Sequence, residues 1–252
     1  MKTKLPIIQN PQLEGNTFYW QGNATGVLLL HGFTATTAEV RLLANAFKKL
    51  GFTVSAPLMP GHGTTPQELN ACKFSDWLEC VESAYDQLKK SCTRVIVGGE
   101  SMGAVLSLYL AEQHPEISAL LLYSPAIRVD SLKFAPFLKY ITPIINKVNN
   151  DPLDTSWQGY TVYPLKAAHE FGKLQRVVRT DLGTIHQPAL ILQGIHDETI
   201  DKQSGQMILK NIHSEYKSLQ CLSESGHVML LGEELELIIR TSVQFLNSVD
   251  IL

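Results

Sequence analysis

Short, continuous apolar runs alternate along the chain with longer segments whose apolar positions recur at helical spacing. Val27-Leu28-Leu29-Leu30 is the first strong run, and Thr37 to Leu50 follows with Val40, Leu42, Leu43, Ala46, Phe47 and Leu50 on one stripe and Gly51 as a stop. That order predicts a strand and then a helix. Thr53 to Ala56 predicts the next strand. Ser75 to Lys90 predicts a helix that Ser75 N-caps and whose buried face is Trp77, Leu78, Val81, Tyr85 and Leu88. Val95-Ile96-Val97 is β-branched throughout and predicts a strand within residues 94–98. Met102 to Gln113 is apolar almost all round until Pro115, as expected of a helix buried in the interior. Ala119 to Tyr123, Ala189 to Gln193 and Tyr216 to Leu222 predict further strands. Strands that are apolar continuously rather than alternately must be covered on both faces, which implies an α/β fold with a mostly parallel sheet between helices.

One stretch breaks the rhythm. Between Tyr123 and Pro188 no run of comparable strength occurs, but Pro125, Pro136, Pro143, Pro152, Pro164 and a polar segment from Asn146 to Ser156 do. The stretch is too long for a plain loop in a compact domain. It predicts a cap of short helices, inserted at about residues 126–180 of a single domain spanning 1–252. Its apolar content is Ile127, Phe134, Phe137, Tyr140, Trp157, Tyr160 and Tyr163.

Composition narrows the function classes. With 252 residues, 44% hydrophobic and 18% charged, the chain is neither disordered nor fibrous. A net charge of -3 supplies no field for nucleic acid or anionic lipid. Cys72, Cys80, Cys92 and Cys221 form no C-x-x-C pair and read as reduced thiols. The first twenty residues are polar and interrupted by proline, unlike a signal peptide, and no apolar run approaches the ~20 residues that span a bilayer. The expected location is the cytoplasm, without stable membrane insertion. The eight histidines lack H-E-x-x-H spacing, so neither a metal nor another cofactor is expected. Nothing in the pattern sets an oligomeric state.

Gly99-Glu100-Ser101-Met102-Gly103 matches G-x-S-x-G between a predicted strand and a predicted helix, the setting in which a serine is held on a tight elbow at a helix N-terminus. A serine hydroxyl needs a base to take its proton, and the base needs an acid on its far nitrogen. Asp197 follows the strand ending near Gln193, and His227 follows the strand ending at Leu222, which completes the order serine, acid, histidine. Glu198, Asp201 and Glu224 are rival acids. His31-Gly32-Phe33 directly follows the first strong strand, so Phe33 N–H and Met102 N–H are the candidate oxyanion donors. With the base assigned, His31 is expected to make a structural hydrogen bond, and Gly61-His62-Gly63 to shape a loop.

These motifs resemble the α/β-hydrolase superfamily, and within it the small bacterial carboxylesterases and monoacylglycerol lipases. The resemblance runs from Val27 to about Leu231 through VLLLHGFTATTAEVRLLANAF, PLMPGHGTTPQEL, SDW at Ser75 to Trp77, GGESMG, LILQGIHDETI and SGHVMLL. It implies an α/β-hydrolase fold and a cofactor-free serine hydrolase of carboxylic esters, with Ser101 as nucleophile, Asp197 as acid, His227 as base, and Phe33 and Met102 at the oxyanion. The apolar cap suggests a small-molecule ester with an apolar acyl chain, short to medium in length, or a monoglyceride. Ile127, Phe134, Trp157, Tyr160 and Val228 are the pocket candidates, and Asp154 and Gln158 the head-group candidates. An aryl (cinnamoyl-type) esterase is the nearest alternative. A peptidase of the proline-iminopeptidase kind would need a carboxylate cluster, for which the cap offers Asp151 and Asp154. A non-catalytic hydrolase-like binder would usually have lost a triad member.

Overall fold

A computed structural model describes residues 7–147 and 156–251. Two short strands, β1 (Ile8–Gln9) and β2 (Phe18–Trp20), precede β3 (Thr25–Leu30), and a 3-10 turn at Thr37–Val40 leads into α1 (Arg41–Lys49). The predicted helix over 37–50 therefore starts tighter than expected, with Thr36 Oγ1 accepting the Ala38 N–H at 3.3 Å. Then come β4 (Thr53–Ala56), α2 (Pro66–Ala71), α3 (Phe74–Lys89), β5 (Arg94–Glu100), α4 (Met102–Gln113) and β6 (Ala119–Tyr123). Ser75 is not the N-cap of α3. The helix begins at Phe74 with Lys73 as its N-cap, and the Asp76 carboxylate in its first turn reaches back to accept the Lys73 N–H at 2.8 Å.

Beyond β6 lie a 3-10 turn at Asp130–Phe134, α5 (Ala135–Leu138), β7 (Ile144–Asn146), β8 (Gly159–Tyr160), β9 (Val162–Pro164) and α6 (Leu165–Asp181). The chain closes with β10 (Ala189–Gly194), α7 (Ser204–Asn211), β11 (Lys217–Leu222) and α8 (Leu235–Ser248). A seven-stranded sheet runs in the order β11-β10-β6-β5-β3-β4-β2, parallel throughout except for β2, which pairs antiparallel with β4. Successive residues on a strand point to opposite faces. Leu28 and Leu30 of β3 enter one apolar core with α3, α4 and α6, while Val27 and Leu29 enter a second with α1 and α8. The same division holds on β5, β6 and β10, which is why these strands read as unbroken apolar runs.

The insert differs from a cap of short helices. It includes β7 paired with β9, and β8 paired with β1, all outside the main sheet. Its last third is the 17-residue α6, whose Ala167, Phe171, Leu174 and Val178 pack into the same core as α4. The apolar stripe of α6 covers α4, so this part of the insert belongs to the sheet-and-helix body. Asp151 and Asp154 lie outside the described residues. Among the described residues, no helix is long and apolar enough to cross a membrane.

Candidate active site

Ser101 joins β5 to α4 with φ 57° and ψ −113°, a left-handed conformation that costs a non-glycine residue on the order of 1–3 kcal/mol. The turn is held by the Ser101 N–H donating to Tyr123 O at 2.9 Å, and by Ser101 O accepting from Ala126 N at 3.3 Å. Both flanking glycines are required by a neighbouring strand rather than by their own dihedral angles. A Cβ on Gly99 would lie 2.5 Å from the Leu30 carbonyl oxygen, and one on Gly103 only 1.9 Å from it. The end of β3 is thus pressed against the elbow, and it is β3 that carries the loop from His31 onward.

His227 and Asp197 reach the same point from the loops after β11 and β10. His227 Nε2 lies 2.9 Å from Ser101 Oγ, and His227 Nδ1 lies 2.7 Å from Asp197 Oδ2. An ionised carboxylate only accepts, so the ring proton belongs on Nδ1 and Nε2 is left free to receive the serine hydrogen. Asp197 is buried, which alone would raise its pKa. The hydrogen bond and charge of His227, with the Thr199 and Ile200 amides at 2.9 and 3.2 Å on Oδ1, outweigh burial and hold it below the ordinary aspartate value. The rival acids lie elsewhere. Asp201 pairs with Arg128 at 3.1 Å, Glu198 is exposed, and the Glu224 N–H donates to Glu234.

The amides of Phe33 and Met102 have no acceptor among the described residues, although Met102 is fully buried. Phe33 belongs to a loop fixed on each side. Gly32 N–H donates to Glu39 Oε2 at 2.5 Å, and Gly32 O lies 2.9 Å from His31 Nδ1. His31 Nε2 accepts the Met59 N–H at 3.0 Å, so its proton is on Nδ1 and it donates to Gly32. Burial pushes the His31 pKa down to about 4, against the smaller opposing effect of Gly32, and burial, with the neighbouring His31, lowers His62 well below the ordinary histidine value. His31, donating through Nδ1 and accepting through Nε2, is a neutral spacer. The Phe33 ring stacks on Phe171 at 5.6 Å and meets Trp77 edge-on at 6.1 Å, which makes an aromatic wall beside its amide.

The pocket candidates separate by environment. Ile127 and Tyr160 are buried in the same apolar cluster that Phe33 and Met102 join. The Tyr160 hydroxyl donates to Gly61 O at 2.7 Å and accepts from Thr64 N, so its polar end braces the 61–64 loop. Val228 is half-buried next to His227. Phe134 is 56% exposed, because the 3-10 turn that bears it leaves it facing solvent. Trp157 turns its indole N–H to Glu39 Oε1 at 3.1 Å. Gln158 is not available to a head group. Its Nε2 donates to Asn10 O and Leu13 O, and its Oε1 accepts from Thr36 Oγ1.

Three contributors escaped the sequence reading. Glu100, Glu39 and Lys147 surround the site, the first two fully enclosed. A charged residue amid the apolar GG-E-S run was a visible signal for Glu100. Nothing in the sequence marked Lys147, which follows β7 and donates to Thr34 Oγ1 at 2.6 Å.

Residues 23–153 match the model of the family described as serine aminopeptidase, S33. The chain is 32% identical over 243 residues, 94% of this chain and 96% of the relative, to a thermostable monoacylglycerol lipase of Bacillus sp. (strain H-257). It is 30% identical over 237 residues, 92% of this chain and 96% of the relative, to a carboxylesterase of Bacillus subtilis (strain 168). Among solved structures it is similar to one from the metagenome-derived lipolytic enzymes LipS and LipT, with a TM-score of 0.89, 31% identity and coverage of 94% of this chain and 99% of that one.

Proposed function

The chain belongs to the serine aminopeptidase S33 family of α/β-hydrolases, and from that membership we propose how Ser101, His227 and Asp197 divide the work. It is a serine hydrolase of carboxylic esters, of the kind that works through an acyl-enzyme. Ser101 attacks the ester carbonyl while His227 Nε2 takes the serine proton across the 2.9 Å contact. Asp197 keeps the proton on Nδ1 and stabilises the imidazolium that forms. The amides of Phe33 and Met102 receive the oxyanion, and Met102 adds the dipole of α4, whose first turn it occupies. The alcohol leaves with the proton held by His227, and water repeats the sequence on the acyl-enzyme.

The observation that carries this reading is the run of contacts from Ser101 Oγ through His227 to Asp197, beside two amides without acceptors among the described residues. The aromatic and aliphatic surroundings of Phe33 favour an apolar acyl chain, and the lipase and carboxylesterase relatives favour monoglycerides or simple esters of short to medium length. The family description also names an aminopeptidase. Among the described residues, the carboxylates of Glu39 and Asp197 are both occupied by hydrogen bonds, which favours the ester reading over one that needs them to hold a substrate amine. A series of p-nitrophenyl esters, monoglycerides, aryl esters and aminoacyl p-nitroanilides tests it. kcat/KM is expected to rise up to ~4-fold per methylene, from ~0.8 kcal/mol of burial each, until the chain outgrows the space. Turnover confined to the anilides would replace the ester reading.

A further inference from the structure

This inference rests on the reading of Phe33 as an oxyanion donor. The segment Gly32-Phe33-Thr34 is tied on both flanks, and the ties lead into the insert. Gly32 N–H donates to Glu39 Oε2 at 2.5 Å, and Glu39 Oε1 accepts the Trp157 indole N–H at 3.1 Å. On the other flank, Lys147 Nζ donates to Thr34 Oγ1 at 2.6 Å and stands 4.3 Å from the centroid of the Trp157 ring. The Thr34 carbonyl accepts the Tyr160 N–H at 2.9 Å, and Ala35 bridges to Gly159. A closed circuit therefore runs from Gly32 through Glu39, Trp157 and Lys147 to Thr34, with Phe33 as the residue it encloses.

Thr34 has φ 69°, a left-handed conformation that is costly for a β-branched residue and persists only where surrounding contacts over-determine it. Releasing Thr34 from Lys147 would let the 33–34 backbone turn toward extended values and carry the Phe33 amide off line. The charges support one another. Burial lowers the Lys147 pKa to about 7 while Glu39 opposes that shift, and burial raises Glu39 against the hydrogen bonds of Gly32 and Trp157 and the charges of His227 and Lys147.

We propose that Glu39, Lys147 and Trp157 are positioning residues that couple the seating of the insert to the direction of the Phe33 amide. The insert then acts on turnover itself, not only on which acyl group is admitted. Its remote contacts contribute to the rate by fixing a donor that touches the reacting oxygen.

Lys147→Met removes the cation and the donor while keeping the stem, and Trp157→Phe keeps an aromatic ring without the indole N–H. Each is expected to lower kcat about ten- to a hundredfold with KM within about threefold. The loss should be the same on p-nitrophenyl acetate and on longer acyl esters. A trifluoromethyl ketone, whose adduct with the serine bears the oxyanion, should lose affinity by the same factor. Lys147→Arg retains donor and charge and should restore most of the rate, and the double variant should lose less than the product of the two singles because both interrupt one circuit. Rates are counted per serine labelled to completion by a fluorophosphonate, so an unfolded fraction does not enter them. A rise in KM at unchanged kcat, or a loss that grows with acyl length, would show that these residues merely line the pocket and would overturn the coupling. Labelling of the unsubstituted protein at a serine other than Ser101 would instead remove the underlying reading. Should Trp157→Phe not fold, Lys147→Met and Lys147→Arg carry the same decision.

Discussion

Glu100 Oε1 accepts the amide hydrogen of Met229 at 2.7 Å, and that of Leu230 at 3.0 Å, so the residue before Ser101 clamps the turn that follows His227. Its other oxygen is buried without a partner among the described residues. Burial, then the nearby Glu39 and the weaker field of Asp197, raise the Glu100 pKa well above 4.5 against the two amides that oppose the shift. A group with a raised folded-state pKa binds more protons folded than unfolded, so its effect on stability turns unfavourable as pH rises above the ordinary glutamate value of 4.5 toward the raised one. Glu100→Gln keeps the acceptor and removes the ionisation. It should turn over esters within about threefold of the parent and resist urea better as the buffer is made alkaline. Glu100→Leu leaves two buried amides unpaired and should cost about 1–3 kcal/mol for each in urea titrations. Equal stability of the Gln and Leu variants would dissociate the clamp from folding.

The strain at Ser101 separates activity from stability. Ser101→Ala removes the hydroxyl but keeps a Cβ at φ 57°, and should lower kcat by at least ~10³. Ser101→Gly should be equally inactive yet melt higher than the alanine variant, by about 1 kcal/mol of relieved strain. A calorimetric scan decides the order of the two.

Asp197→Asn removes the acceptor that fixes the imidazole tautomer and should cost on the order of 10³–10⁴ in kcat. Asp201→Asn, which loses only a partly exposed pairing with Arg128, and Glu198→Gln should leave turnover within about threefold. Because the Asp197 pKa is lowered in the folded state, its contribution to stability is present above the ordinary aspartate value of 3.8 and is lost as pH falls through the lowered one. Acid unfolding of Asp197→Asn should accordingly lack that component. A crippled Glu198→Gln would reassign the acid.

Two glycines should respond oppositely to alanine. The Cβ of Gly103→Ala would meet the Leu30 carbonyl oxygen at 1.9 Å, a backbone collision that should cost more than ~4 kcal/mol and leave little folded protein. Gly172, inside α6, has nothing within 4 Å of the same position, so Gly172→Ala should stabilise by about 0.5–1 kcal/mol. Denaturant midpoints of the two variants measure the contrast.

The apolar runs of β3, β5, β6 and β10 are legible because both faces of those strands are buried, so neither residue parity can be polar. The serine elbow and the loops bearing Asp197 and His227 are legible for a related reason. Each lies just past such a strand, where the chain must turn, and the turn residues stand out in the sequence. α6 escaped as a core helix because its stripe of Ala167, Phe171, Leu174 and Val178 follows a proline-rich insert and takes its meaning only from contact with α4. Trp157 reads locally as a pocket residue and Gln158 as a head-group residue, but Glu39, Thr36, Asn10 and Leu13, more than a hundred positions away, claim their polar atoms. Local pattern determined where strands end and which side chains can do chemistry, since those depend on neighbours along the chain. Which polar groups remain free, and how Lys147 meets Thr34, was decided by the tertiary structure, since buried hydrogen bonds are satisfied by whichever partners packing brings within reach.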